Sequence, residues 1–130
     1  TRPAAVIHGV GTDIVRVVRL ADALERHGAR FAERILDASE RAAFAAAPDP
    51  ARLLAKRFAA KEAFGKALGT GVAAPATLHA VRVGHDALGK PLFEFAPALA
   101  EHMRERGLHA HLSLSDETDY VVAFAVIEKP

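Results

Sequence analysis

The sequence predicts an α+β domain that combines a small antiparallel sheet with one long helix. Two patterns carry the prediction. Strand-like segments arrive in runs toward the end of the chain instead of alternating regularly with helices, which argues against a βαβ sheet. Residues 51–68 repeat apolar side chains at helical spacing. A length of 130 residues with 51% apolar and 25% charged residues fits one globular domain, spanning 1–130, with a single core.

The elements follow in order. Ala5–Thr12 reads as a first strand that runs into Gly9-Val10-Gly11-Thr12-Asp13. A helix is expected from Ile14 to Arg26, with Gly28 as its stop. Asp37 and Glu40, three residues apart, form a capping-box-like start for a short helix to Ala47. Pro48, Asp49 and Pro50 break that helix. The longest helix should run over Ala51–Leu68 and stop at Gly69. Leu53, Ala60, Phe64, Ala67 and Leu68 make its apolar stripe, while Phe58, Glu62 and Lys66 line the opposite face. Strands are expected at His79–Val83 and Lys90–Phe95, with a helix over Pro97–Arg106 after them. His109–Ser115 alternates apolar Leu112 and Leu114 with polar His111, Ser113 and Ser115. Tyr120–Ile127 is almost wholly apolar, as a strand covered on both faces should be.

Composition excludes several function classes. The chain has no cysteine, so disulfide scaffolds, thiolate zinc sites and cysteine nucleophiles are out. A net charge of +1 argues against a general nucleic-acid binder. No run approaches the roughly 18 apolar residues of a membrane span, and no signal-peptide pattern opens the chain. A cytoplasmic protein is the expectation. Charge is unevenly spread. Arg52, Lys56, Arg57, Lys61 and Lys66 surround the single carboxylate Glu62 between Pro50 and Gly71, a balance suited either to a solvated helix face or to a small phosphorylated ligand.

Two carboxylates stand out. Asp13 follows Gly-x-Gly-Thr at a strand end, where glycines let a backbone approach a ligand closely, although Asp13 would equally serve as a helix N-cap. Glu62 either pairs with Lys66 four residues on or meets Asp13. Two carboxylates with open positions would hold Mg²⁺, which takes one or two carboxylates plus waters and substrate phosphates. The nearby lysines and Arg57 would then hold the phosphates. His109 and His111 alternate on a strand, but no third ligand at a recognisable spacing supports zinc.

Three segments together resemble the holo-[acyl-carrier-protein] synthase family of 4'-phosphopantetheinyl transferases. They are Gly9-Val10-Gly11-Thr12-Asp13-Ile14-Val15 with Arg19; Ala55-Lys56-Arg57-Phe58-Ala59-Ala60-Lys61-Glu62-Ala63-Phe64-Gly65-Lys66-Ala67-Leu68-Gly69-Thr70-Gly71; and Leu112-Ser113-Leu114-Ser115-Asp116-Glu117 with Tyr120 and the apolar last strand. Arg30-Phe31-Ala32-Glu33-Arg34-Ile35-Leu36 and Gly89-Lys90-Pro91 also fit. These matches span nearly the whole chain in order.

The resemblance implies a 4'-phosphopantetheinyl transferase-like fold, with the sheet wrapped around the long helix. It also implies a reaction: the phosphopantetheine arm of coenzyme A moves to a serine of apo acyl carrier protein, and adenosine 3',5'-bisphosphate leaves. The implied setting is fatty acid biosynthesis. By the same resemblance Asp13 and Glu62 bind Mg²⁺, and Glu62, Lys66 and Asp13 form the catalytic group. Arg57, Phe58, Lys61, Lys66, Gly69, Thr70, Gly71, Lys90, Pro91, Ser113 and Ser115 are implied to face coenzyme A, with Ser113 and Ser115 along the same cleft. Arg19, Arg30, Phe31 and Arg34 are implied to face the acidic carrier, and a homotrimer with active sites between subunits is implied as well. Asp116 stands where many members have histidine. Gly65 stands where a small polar residue is frequent, at the expected loss of one coenzyme hydrogen bond. The rival reading is a non-catalytic coenzyme A or nucleotide-binding module, which has no need of the metal pair.

Overall fold

The computed structural model describes residues 4–130. Strand β1 (Val6–Arg16) leads into α1 (Val17–His27) and α2 (Ala29–Ile35). A single 3-10 turn at Ala38–Glu40 precedes α3 (Arg41–Ala46) and the central helix α4 (Pro50–Leu68). Then come β2 (Val81–His85), β3 (Pro91–Phe95), α5 (Pro97–Glu105), β4 (His109–Asp116) and β5 (Tyr120–Lys129). The strands form two antiparallel sheets, β1-β5-β4 and the hairpin β2-β3. This is the α+β class expected.

The first strand runs farther than its apolar pattern suggests, because β5 offers a partner to its end. The ladder continues through Asp13↔Ala123 to Arg16↔Tyr120. Asp13 is therefore inside a strand and is not a helix cap. Helix α1 starts instead at Val17, whose N–H donates to the Asp119 carbonyl at 2.8 Å, and stops at Gly28 as expected.

Helix α4 is well bounded. Asp49 caps it by accepting from the Arg52 N–H at 3.1 Å, Pro50 occupies its first turn, and Gly69 closes it at φ 96°, a conformation glycine adopts without strain. It is buried on most of its circumference, by β1 and β5 on one side and by helices and the β2-β3 hairpin on others. Phe64 is fully buried against Phe93 and Phe95, with ring centroids 5.1 Å apart in each pair. Such aromatic pairs add about 0.5–1.5 kcal/mol beyond their area. Leu53 departs from the expected stripe: it is half-buried and lines a cavity. Between Arg57 and Leu68 the residues left unburied are Phe58, Glu62 and Lys66, the face the spacing assigned to solvent.

One face of the three-stranded sheet packs on α4, through Gly11, Val15, Val121, Ala123, Ala125, Ile127 and Leu112. The other face is open. There Val10, Ile14, Val122 and Phe124 are 55, 62, 37 and 42% exposed. The expectation that Tyr120–Ile127 is covered on both faces thus fails within one chain, since among the described residues no element lies over this side. An exposed apolar patch of this kind marks an interaction surface.

Candidate active site

Glycine places the first carboxylate. A Cβ on Gly9 would collide with the Ala67 carbonyl oxygen, and one on Gly11 with the Ala63 carbonyl oxygen. Their role is therefore to let β1 lie directly on the backbone of α4, and not to approach a ligand. Side chains on that face of β1 recur every second residue, so the next position after Gly11 is Asp13. It arrives beside α4 at the level of Glu62 and Lys66.

Lys66 Nζ donates to the Thr12 carbonyl at 2.8 Å and to Asp13 Oδ1 at 3.2 Å. Its salt bridge joins strand to helix through Asp13, and of the two readings of Glu62 the ion pair with Lys66 is not formed among the described residues. Partial burial pushes the Glu62 carboxyl above its usual range, the negative charge of Asp13 adds to the shift, and Lys66 opposes it. The two carboxylates thus sense each other. Among the described residues no group of three or more His, Cys, Asp or Glu comes together. A donor set of two like-charged carboxylates suits Mg²⁺, which fills its shell from water and phosphate, and does not suit zinc.

A cavity of about 280 Å³ opens along the first half of α4, lined by Arg52, Leu53, Lys56, Arg57, His85 and Leu114 among others. Arg57 reaches it while bonded to Glu40 at 3.2 Å. Pro91 pairs with His85 of this cavity across the hairpin, and exposed Lys90 follows the turn beside it. Lys61 is not available to a ligand. It is fully buried, and its Nζ donates to Glu40, the Ile35 carbonyl and the Leu78 carbonyl at 2.6–2.8 Å. It therefore faces the protein interior and not the coenzyme, contrary to the expectation.

Phe58 faces a different groove, shared with Arg19, Leu20, Phe31, Arg34 and Leu78. It shares that groove with three of the residues expected to face the carrier protein and does not line the cavity of Arg57. Arg30 lies in the adjoining basic patch with Arg26, His27 and Arg34. The Gly69-Thr70-Gly71 segment folds back on the helix end, with the N–H groups of Gly69 and Gly71 both donating to the Gly65 carbonyl at 3.0 Å and the Thr70 hydroxyl donating to the Gly71 carbonyl. A Cβ on Gly65 would stand 2.6 Å from that carbonyl, so glycine here admits the loop, whatever hydrogen bond it forgoes.

Ser113 and Ser115 pair with Phe124 and Val122 on the open face of the sheet. Asp13 is on the opposite face, so the expected shared cleft does not form within one chain. Asp116 is committed elsewhere, to Arg52 and Lys56 at 3.4 Å each. Arg52 also donates to the carbonyls of Glu117 and Thr118 at 2.7 Å, tying the β4–β5 turn to α4. Sequence reasoning counted Arg52 and Lys56 in the basic cluster without assigning them to the site, and it missed His85 and Glu40 as site residues. The signal was present for the first two, as basic residues one turn apart before Arg57.

Residues 9–125 match the profile of the 4'-phosphopantetheinyl transferase superfamily. The chain belongs to that superfamily. Within it the chain groups with the holo-[acyl-carrier-protein] synthases. The Aromatoleum aromaticum holo-[acyl-carrier-protein] synthase is 72% identical over 95% of this chain and 99% of that protein. The crystal structure of the Neisseria meningitidis holo-[acyl-carrier-protein] synthase superposes with a TM-score of 0.90 at 47% identity, covering 94% of this chain and 98% of that one. A holo-(acyl-carrier-protein) synthase from Bacillus anthracis, solved in complex with CoA (3',5'-ADP), superposes with a TM-score of 0.81 at 32% identity over 98% and 100% of the two chains. The chain is accordingly an enzyme, a 4'-phosphopantetheinyl transferase.

Proposed function

We propose that this chain transfers the 4'-phosphopantetheine arm of coenzyme A to a serine of apo acyl carrier protein in a Mg²⁺-dependent reaction that releases adenosine 3',5'-bisphosphate. The observation that carries the reading is the convergence of Asp13, Glu62 and Lys66 at α4, the same helix whose first half lines the Arg57 cavity. A pure binding module has no use for two opposed carboxylates.

Asp13 and Glu62 would hold the metal, which when bound neutralises charge on the pyrophosphate and on the leaving phosphate. Arg57, with Arg52 and Lys56 beside it, holds the nucleotide phosphates by charge-assisted hydrogen bonds. Phe58 stands one helical turn, about 5.4 Å, before Glu62. A carrier seated in the groove of Arg19, Phe31, Arg34 and Phe58 therefore brings its serine to the carboxylate pair. The serine oxygen bonds to the phosphorus that bears pantetheine, and the bond from that phosphorus to the bridging oxygen breaks. Glu62 takes the serine proton as general base. Lys66 supplies positive charge to the phosphoryl group in transit.

The open apolar sheet face supports a homotrimer. A neighbouring copy seated there would cover Val10, Ile14, Val122 and Phe124, and would draw Ser113 and Ser115 toward a site shared between subunits. A cytoplasmic setting accords with a cysteine-free chain, and among the described residues no helix is long and apolar enough to cross a membrane.

The test is mass spectrometry of apo acyl carrier protein after incubation with coenzyme A, Mg²⁺ and this protein. The carrier should gain the mass of the phosphopantetheine arm. Free pantetheine phosphate with an unmodified carrier would indicate a phosphohydrolase, and unchanged coenzyme A a binding module.

A further inference from the structure

Helix α4 carries a second charged cluster, of which only Arg57 reaches the cavity. Glu40 is 2% exposed and Lys61 is 0% exposed. Glu40 Oε1 accepts from Lys61 Nζ at 2.6 Å and from the Asp37 N–H at 3.2 Å. Its Oε2 accepts from Arg57 Nη1 at 3.2 Å and from the Val83 N–H at 3.3 Å. Asp37 is matched separately by Arg82 at 2.8 Å.

As a strut between α4 and the preceding turn, Glu40 and Lys61 alone would be complete. Lys61 has all three protons bonded, and one carboxylate balances its charge. Arg57 is surplus to that balance. It leaves the cluster with one uncompensated positive charge, and Arg57 is the member that lines the cavity. A guanidinium has five N–H donors in a rigid fork. Glu40 holds one of its terminal nitrogens, which restrains the fork at the cavity wall and leaves its other donors for an anion.

We propose that Glu40 is a positioning residue for the coenzyme: it sets the orientation of Arg57 at the cavity wall, with Lys61 as the buried counter-charge that fixes Glu40. The proposal rests on the reading of the cavity as the phosphate-binding part of the coenzyme site, and it adds that the site's affinity is set by a carboxylate that never touches the ligand.

The experiment compares coenzyme A affinity, by calorimetry without carrier protein, with kcat and KM of transfer. Glu40→Asp keeps the buried charge but retracts it by one methylene. Glu40→Gln combined with Lys61→Met removes a negative and a positive charge together, so the cluster keeps its net charge. Both should fold, bind coenzyme A about 10–100-fold more weakly, the scale of one hydrogen bond to a charged group, and show the loss in KM with kcat within about twofold. Adding Arg57→Lys to either should cost little more, because the orienting contact is already gone. Unchanged affinity in a folded variant, losses that add in full with Arg57→Lys, or failure of both variants to fold would overturn the proposal. If the parent protein itself fails to bind coenzyme A, the coenzyme reading falls first, and the parent measurement separates the two failures.

Discussion

Helix α4 bears two clusters of acids and bases within three turns, and they meet opposite fates. Around Glu40 and Lys61 every strong donor and acceptor is matched and sealed from solvent, and Arg57 alone reaches the cavity. Around Asp13, Glu62 and Lys66, partial burial and the charge of Asp13 raise the Glu62 proton affinity, with a single, half-exposed lysine between strand and helix. A protein that needed these groups only for folding would seal the second cluster like the first. The unresolved repulsion is what a divalent cation and a phosphate would relieve.

The comparison can be broken most severely at the open cluster. Asp13→Ala or Glu62→Ala should lower transfer by at least about 10³-fold with the melting temperature near the parent's, since Glu62 lies on the unburied line of α4. Near-normal turnover of either purified variant would end the assignment of the pair. The sealed cluster should respond the other way. Lys61→Met leaves Glu40 short of a cation and should destabilise the fold by about 3–5 kcal/mol, read as a shifted urea midpoint. A midpoint equal to the parent's would mean that the network is dispensable.

Lys66→Arg probes the boundary between the clusters. The charge persists, but a broad planar fork replaces a compact ammonium. Turnover should drop on the order of 10²-fold while coenzyme A still binds. A change within about twofold would show that diffuse positive charge suffices there. Arg34→Glu moves to the carrier groove and should raise the KM for carrier about 10-fold, the KM for coenzyme A staying put. Raising salt should shrink that ratio, since exposed charges are screened beyond about 8–10 Å at physiological ionic strength. Parallel losses for both substrates would indicate a defect in the fold instead.

The smallest effect concerns pH. Folding raises the Glu62 proton affinity, so the folded state keeps this proton over a range where the unfolded chain has released it. Stability should therefore fall as pH rises through that range, and the penalty should be absent below it. Glu62→Gln removes the penalty. In metal-free buffer the melting temperature of Glu62→Gln relative to the parent should climb with pH across the carboxylate range. A difference that stays flat would mean that folding does not raise the Glu62 proton affinity, by burial or by Asp13.

Local signals made much of this legible. The spacing of Phe58, Glu62 and Lys66 identified the open line of α4, and Asp49, Pro50 and Gly69 bounded that helix. What the sequence hid was decided by partners distant in the chain. Helix α2 has seven residues, too few to display a period. The end of β1 depends on β5, and the side of the sheet that Ser113 takes depends on register. Glu40 reads as a capping residue and does cap locally, but its burial follows from Lys61 and Arg57, 21 and 17 residues away. Lys61 is a surface residue by type, and only a pre-formed set of acceptors makes its burial tolerable.

The glycines of β1 also act on the alternatives to the native fold. A β-strand that slides along its partner by one residue turns its whole side-chain set over, and apolar strands resist such slips weakly. Here a slip by one residue would drive Val10 or Thr12 into the carbonyls of Ala63 or Ala67, and a slip by two would drive Asp13 or Ile7 there; only the observed alignment sets a residue without a side chain at both places. The pair works as a gauge with one admissible reading. The spacing between Asp13 and the helix carboxylate is thereby settled as the chain folds, before any metal or coenzyme is present to select it.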